Sequence, residues 1–236
     1  LSGRRLPGAE RRSLQTAILE QVGMVRRSMG DMQGAADDFE ALVALAREQG
    51  RADAEARGLF YLGSALSWFD RPRFEAAAER AMDLAGRLDN DLLRSHARGY
   101  AAYWNLLLRG PREEDFAAPG EAIDAARRAG DRLLLGQHVA RASYFRCLRS
   151  EYRAGCEAAR EGMDLALEVG DGFDYLLCHF FLAWGLLHAG QWGDMLGVLE
   201  KGIRMAESNG HQLWATLFHL EEDLLYAQRA LDKPLF

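Results

Sequence analysis

Two histidines, His179 and His219, stand 40 residues apart, a spacing that invites a metal or proton-relay reading if folding brings them together, since imidazole serves both chemistries. The six histidines fall singly along helical stretches, and equivalent places in consecutive repeats explain the spacing better. The acidic pairs Glu113/Glu114 and Glu221/Glu222 are adjacent, so on a helix they diverge and read as surface charge. Cys147, Cys156 and Cys178 are odd in number and lack a C-x-x-C spacing. They suggest neither a zinc site nor a secreted disulfide framework, and fit buried thiols in a reducing cytoplasm. There is no G-x-S-x-G elbow, phosphate-binding glycine loop or H-E-x-x-H. The expectation is a non-enzymatic chain without cofactor or bound metal.

The informative residues are aromatic. One column runs Met24, Ser64, Trp104, Tyr144, Trp184, Leu224, and a second, four residues earlier, runs Glu20, Phe60, Tyr100, Ala140, Phe180, Leu220. At i, i+4 the two share a helix face, and Trp and Tyr there offer broad contact area with a polar handle. Arg57, Trp68, Gln137 and His188 stand in neighbouring columns and would add polar specificity. The candidate binding set is therefore Arg57, Phe60, Ser64, Trp68, Tyr100, Trp104, Gln137, Tyr144, Phe180, Trp184 and His188. Aromatics at helical spacing equally serve packing between repeats, and both readings stand at this point.

What must position these columns is a repeat. Ala followed four residues later by Gly occurs at Ala46/Gly50, Ala126/Gly130, Ala166/Gly170 and Ala206/Gly210, a recurrence at 40 or its multiples of the kind that marks a solenoid. Gly30, Gly110 and Gly190, with Asp70 and Ser150 between them, divide each period into two helices. Gly50, Asn90, Gly130, Gly170 and Gly210 are predicted left-handed caps of the second helix. Small residues seven before the mid-unit turn, Gly23, Gly63, Ser143 and Ala183, let the paired helix approach closely. Tyr103 replaces the small residue in unit three, whose Pro119-Gly120 should break or delay its second helix.

Gly30-Asp31-Met32, Ser150-Glu151-Tyr152 and Gly190-Gln191-Trp192, together with the L-G-like pairs ahead of them, resemble the tetratricopeptide repeat. The resemblance spans nearly the whole chain. The period exceeds that repeat's usual length of about 34, a form similar to the arrays of bacterial transcriptional activators of the maltose-regulator type and related signalling ATPases. It implies an all-α, right-handed superhelix of about five and a half hairpins. Units are expected at 11–50, 51–90, 91–130, 131–170 and 171–210, with a partial one at 211–236, in a single domain 9–236 after a linker or disordered start at 1–8. It also implies that the aromatic face lines a concave groove taking a peptide or protein segment, with a small-molecule inducer, or a spacer role beside an enzyme, as alternatives.

Composition agrees with an all-helical chain: of 236 residues only five are proline. The formal charge of −6 and the absence of a basic stripe argue against direct nucleic-acid contact. Arg4, Arg5, Arg11, Arg12, Arg26 and Arg27 cluster near the start and read as a solvated face. The most apolar run, Tyr175 to Leu187, is too short to cross a membrane, so a cytoplasmic protein is expected. A start at Leu1 suggests a piece of a larger regulatory protein. Leu213, Trp214, Leu217, Phe218, Leu220, Leu224 and Leu225 leave the last helix apolar on more than one side, so further repeats, or self-association through this end, are expected.

Overall fold

The computed structural model describes residues 8–229, all of the secondary structure being helical. Five hairpins pair α1 (Gly8–Ser28) with α2 (Met32–Glu48), α3 (Ala52–Leu66) with α4 (Arg71–Arg87), α5 (Asp91–Arg109) with α6 (Ala118–Ala129), α7 (Arg132–Leu148) with α8 (Tyr152–Val169), and α9 (Gly172–His188) with α10 (Trp192–Ser208). The first helix of a sixth, α11 (Gln212–Arg229), follows. The start expected as a linker lies outside the described residues except Gly8, which begins α1.

The recurring Ala-x-x-x-Gly is a Schellman stop. Gly50, Gly130, Gly170 and Gly210 take positive φ, which costs glycine little. The next residue then donates its N–H back to the alanine carbonyl: Arg51 to Ala46 at 2.9 Å, Asp131 to Ala126 at 3.0 Å, Asp171 to Ala166 at 2.9 Å, His211 to Ala206 at 2.7 Å. Asn90 departs from the prediction. Its φ is −142°, and its side chain instead caps α5 by accepting the Leu93 N–H at 3.1 Å. Helix α4 ends early, with Leu88 extended as its cap, so no left-handed residue is needed there. Unit three is irregular as its Pro119-Gly120 implies: a short 3-10 turn at Glu113–Phe116 precedes α6, which spans only 12 residues with proline in its first turn.

The two helices of each unit occupy different layers. α3, α7 and α9 are buried along nearly their whole length, whereas α4 buries only Phe74 and a stripe of alanines, and α10 only Met195, Leu199, Gly202 and Ala206. Of the first helices, α3, α7 and α9 thus form an inner layer flanked by second helices, which is why they bury residues on nearly every side. Close approach within a hairpin needs the small column: a Cβ on Gly23 would lie 2.6 Å from the Phe39 ring.

The array winds tightly enough to meet itself. The end of α1 touches the start of α9, and Gly30 sits against the His211 ring at the start of α11. Its outer ends differ. Leu14, Ile18, Val22 and Val25 form an exposed stripe on α1 that Met29 continues just past its end, and Leu220 and Leu224 are exposed on α11, while Trp214, Phe218 and Leu225 are buried.

Candidate functional site

Where α1 meets α9, four charged side chains from α1, α7 and the start of α9 are enclosed. Arg27 is 0% exposed and donates to Asp171 at 2.6 Å and Asp174 at 3.4 Å. The sequence reading of Arg27 as part of a solvated arginine face is therefore corrected: its helix turns it inward, while its neighbour Arg26 stays at the surface beside Asp38. Asp171 caps α9 by accepting the Asp174 N–H at 3.1 Å, which leaves its other oxygen for Arg27. Arg141 of α7 is also buried. It donates to the Tyr100 hydroxyl at 2.9 Å, lies 3.6 Å from Asp174, and stacks over the Tyr100 ring at 4.3 Å and the Tyr103 ring at 5.3 Å.

Burial penalises each of these charges and their mutual contacts decide the outcome. Desolvation raises the Asp174 carboxyl, and the negative Asp171 beside it raises it further, to about 7. Asp171 is also desolvated, yet the Arg27 guanidinium holds it below the usual carboxylate range. For Arg27 and Arg141 desolvation works towards a lower pKa, but Asp171 and Asp174 outweigh it at Arg27, and Tyr100 followed by Asp174 outweighs it at Arg141, so both remain cations. Nearby, His96 Nδ1 and His138 Nε2 are 2.8 Å apart. Burial and the positive Arg141 push His96 down to about 3 and His138 well below its usual value, so both rings are neutral.

Beside this cluster lies a cavity of about 280 Å³, partly open to solvent. Its lining includes Trp68, Phe74, Tyr103, Trp104 and Phe173, together with Tyr100, Arg141, Ser64 and Ser67 and the exposed Arg71 and Leu107. Trp68 is braced edge-on by Phe173 at 5.9 Å and Trp214 at 5.5 Å. Trp104 is held by Phe74 at 5.3 Å and Tyr100 at 5.2 Å. Such packing fixes the walls before any ligand arrives.

Four of the sequence candidates, Ser64, Trp68, Tyr100 and Trp104, come together on this cavity. Phe60 is buried behind Tyr100 and Trp104, with His96 edge-on at 4.7 Å. Gln137 is buried, and accepts from the Tyr100 hydroxyl at 3.3 Å. Arg57 is half-buried and pairs with Glu20 at 3.6 Å and Asp53 at 3.4 Å. Phe180 packs half-buried among Phe181, Trp214 and Phe218. Tyr144, Trp184 and His188 form a second, separate group: Tyr144 stacks on Phe181 at 4.8 Å and meets Trp184 at 5.0 Å, Trp184 meets His188 at 4.4 Å, and the exposed His188 stacks on Tyr152 at 5.8 Å.

The residues that sequence reasoning passed over are Arg27, Arg141, Asp171, Asp174 and Phe173. A signal existed. Asp174 occupies a column otherwise filled by Leu14, Ala54, Leu134 and Trp214 with one arginine, and Arg27 a column with Leu107, Cys147 and Leu187. Charge in a column that is mostly apolar marks a buried ionic site. Glu221 is a further correction: read as surface charge, it is buried on α11, and burial raises its carboxyl well above the usual range. His179 is buried, whereas His219 is half-exposed near Glu207 and Glu222. The three cysteines are buried and unpaired, and no described helix is long and apolar enough to cross a membrane.

No family model and no curated protein sequence matches the chain. Solved structures do. A Rap protein complexed with competence and sporulation factor superimposes with a TM-score of 0.54 at 14% identity, over 91% of this chain and 64% of that one. A signal transduction ATPase with numerous domains and a tetratricopeptide repeat sensor, from Pyrococcus horikoshii, gives 0.53 at 12% identity, over 86% of this chain and 34% of that one. The chain thus spans less than two thirds of either structure. With the eleven α-helices of the described residues packed in chain order and these neighbours, its fold is a tetratricopeptide-like helical repeat array.

Proposed function

We propose that this chain is the non-catalytic sensor region of a larger regulatory protein, taking a small molecule into the cavity between α3, α5, α7 and α9. The observation that carries this reading is the enclosure itself. The interior that an open trough would leave free is crossed by Arg27 and filled by Phe60, Tyr100, Gln137 and Arg141, and the remaining space, about 280 Å³, is near the lower limit of small-ligand pockets at about 300 Å³. The named sensor in one structural neighbour supports it. Occupancy would be felt by four units at once, because each contributes a wall, and the winding of the array would carry it to attached domains. The unpaired thiols and the resemblance to bacterial regulators support a cytoplasmic setting and a role in signal transduction or transcription control.

Native mass spectrometry and tryptophan fluorescence test this directly. The parent should retain or bind a small molecule with quenching of emission, and a folded Ser64→Phe variant, which fills the cavity, should not. A fragment library that leaves both the melting temperature and the emission of the parent unmoved would sink the proposal.

A second reading is favoured by the outer ladder of Tyr144, Trp184, His188 and Tyr152, which is partly exposed and suits a peptide or protein segment. The Rap neighbour was solved with a bound factor. Peptide-array binding lost in Trp184→Ala but kept in Ser64→Phe would select it. Self-association through the exposed Leu220 and Leu224 is a separate proposal, tested by sedimentation at increasing concentration.

A further inference from the structure

We infer that the cavity selects a small carboxylic acid with an apolar, ring-sized body, its carboxylate directed at Arg141. This rests on the reading of the cavity as a ligand site and adds the ligand's charge. Three observations lead to it. The first is composition of the walls: Trp68, Phe74, Tyr103, Trp104 and Phe173 offer ring faces and edges, which accept a flat apolar body. The second is an unused donor. Arg141 is buried, and its terminal nitrogens are engaged by Tyr100, the Gln137 carbonyl and, more distantly, Asp174. Its Nε hydrogen-bonds nothing in the protein. A buried cationic donor left without an acceptor carries a desolvation cost that an incoming carboxylate would relieve.

The third observation is charge balance. The enclosed set contains two guanidiniums, Arg27 and Arg141, and two carboxylates, Asp171 and Asp174. Asp171 is committed to Arg27 at 2.6 Å. Asp174 faces Arg27 from α1, Arg141 from α7 and Asp171 from the cap of its own helix, and burial first, with Asp171 second, favours its protonated form towards neutrality. The set then carries one positive charge more than negative, and that charge is on the arginine lining the cavity. A second cation, the exposed Arg71, also lines the cavity and pairs with Glu75 at 3.0 Å. A neutral ligand would leave this imbalance in place. An acid would remove it.

The test compares acids with their own amides. Calorimetry at pH 6.5 with 1-naphthoate, indole-3-acetate and 4-phenylbutyrate, each beside its primary amide, should show one equivalent of an acid bound, and its amide weaker by about tenfold or more, as expected for a charge-assisted hydrogen bond. The Arg141→Gln/Asp174→Asn double variant removes the cavity-lining cation together with the Asp174 carboxyl beside it, keeps the Arg27–Asp171 pair, and should abolish that preference while still binding the amide. Asp174→Asn alone mimics the protonated carboxyl and should leave the acid preference of the parent at pH 6.5 unchanged within about twofold. Acid and amide binding the parent alike, or a preference that survives the double variant, overturns the charge selection and leaves the ligand site standing. Failure of every acid and amide to bind the parent overturns both.

Discussion

One register of the sequence has two fates in this molecule. Phe60, Tyr100 and Trp104 on α3 and α5 are sealed inside, ring against ring, whereas Tyr144 and Trp184 on α7 and α9 stay partly exposed and lead to His188 at the surface. The helical spacing is the same in both. What differs is the covering: the inner half lies where the winding brings α1, α7 and α9 together over α3 and α5, and the outer half lies beyond that closure. Periodicity decides which residues share a face, and superhelical closure decides whether that face is wall, core or surface.

The largest way to break the comparison is to open the closure. Arg27→Met leaves Asp171 and Asp174 buried without their shared cation, and should cost about 3–5 kcal/mol, read as a fall in the urea midpoint. Arg57→Ala, which removes a half-exposed guanidinium from Glu20 and Asp53, should cost under about 1 kcal/mol. If the two arginines cost the same, the Arg27 contact does not hold the ends of the turn together.

Next in size are the two tryptophans. Trp104→Ala removes a ring packed against Phe60, Phe74 and Tyr100 and should destabilise by about 3–4 kcal/mol. Trp184→Ala removes a partly exposed ring and should cost about 1–2 kcal/mol. Equal losses in the chemical unfolding curves would mean that the sealed and open halves of the column are energetically the same, contrary to the geometry.

These contrasts mark what was legible in the sequence. The hairpins, their boundaries and the disturbed third unit follow from Ala-x-x-x-Gly stops, turn residues and Pro119, because helix ends are local chemistry. The aromatic faces follow from i, i+4 spacing. The partners of those faces do not, since Arg27 meets Asp171 across 144 residues, and that meeting depends on small rotations summed over several units. Asn90 failed for a local reason, the early end of α4. Arg27 failed for a global one.

A smaller effect separates the inner cluster by pH. The Asp174 carboxyl is raised to about 7, above its unfolded value of about 3.9. Its contribution to stability is therefore complete below that unfolded value and is lost as pH rises through the folded one. Asp171, lowered by Arg27, has the opposite sign and acts only below about pH 4. Stability should thus decline between pH 4 and 7 by at most about 1.4 kcal/mol per unit, and Asp174→Asn should flatten that decline. Parallel curves for parent and variant across this range would assign the proton elsewhere.

The smallest effect concerns a turn beside the open half. Ser150 sits at φ 63°, the one non-glycine residue at positive φ among those described, where Gly30, Gly110 and Gly190 occupy the corresponding turns. A side chain in that region costs about 1–2 kcal/mol, and glycine returns about 0.5–1 kcal/mol of this through its freer unfolded chain. Ser150→Gly should therefore stabilise by about 0.5 kcal/mol, losing only an exposed 3.3 Å contact from Tyr152. Its value lies in location: the turn adjoins the Tyr152–His188 stack and supplies no residue to the cavity lining, so the unfolding midpoint should rise while affinity for any cavity ligand stays constant. A change in that affinity would show that the two halves of the aromatic column, distinct in burial, are coupled in binding through α7, which carries both Arg141 and Tyr144.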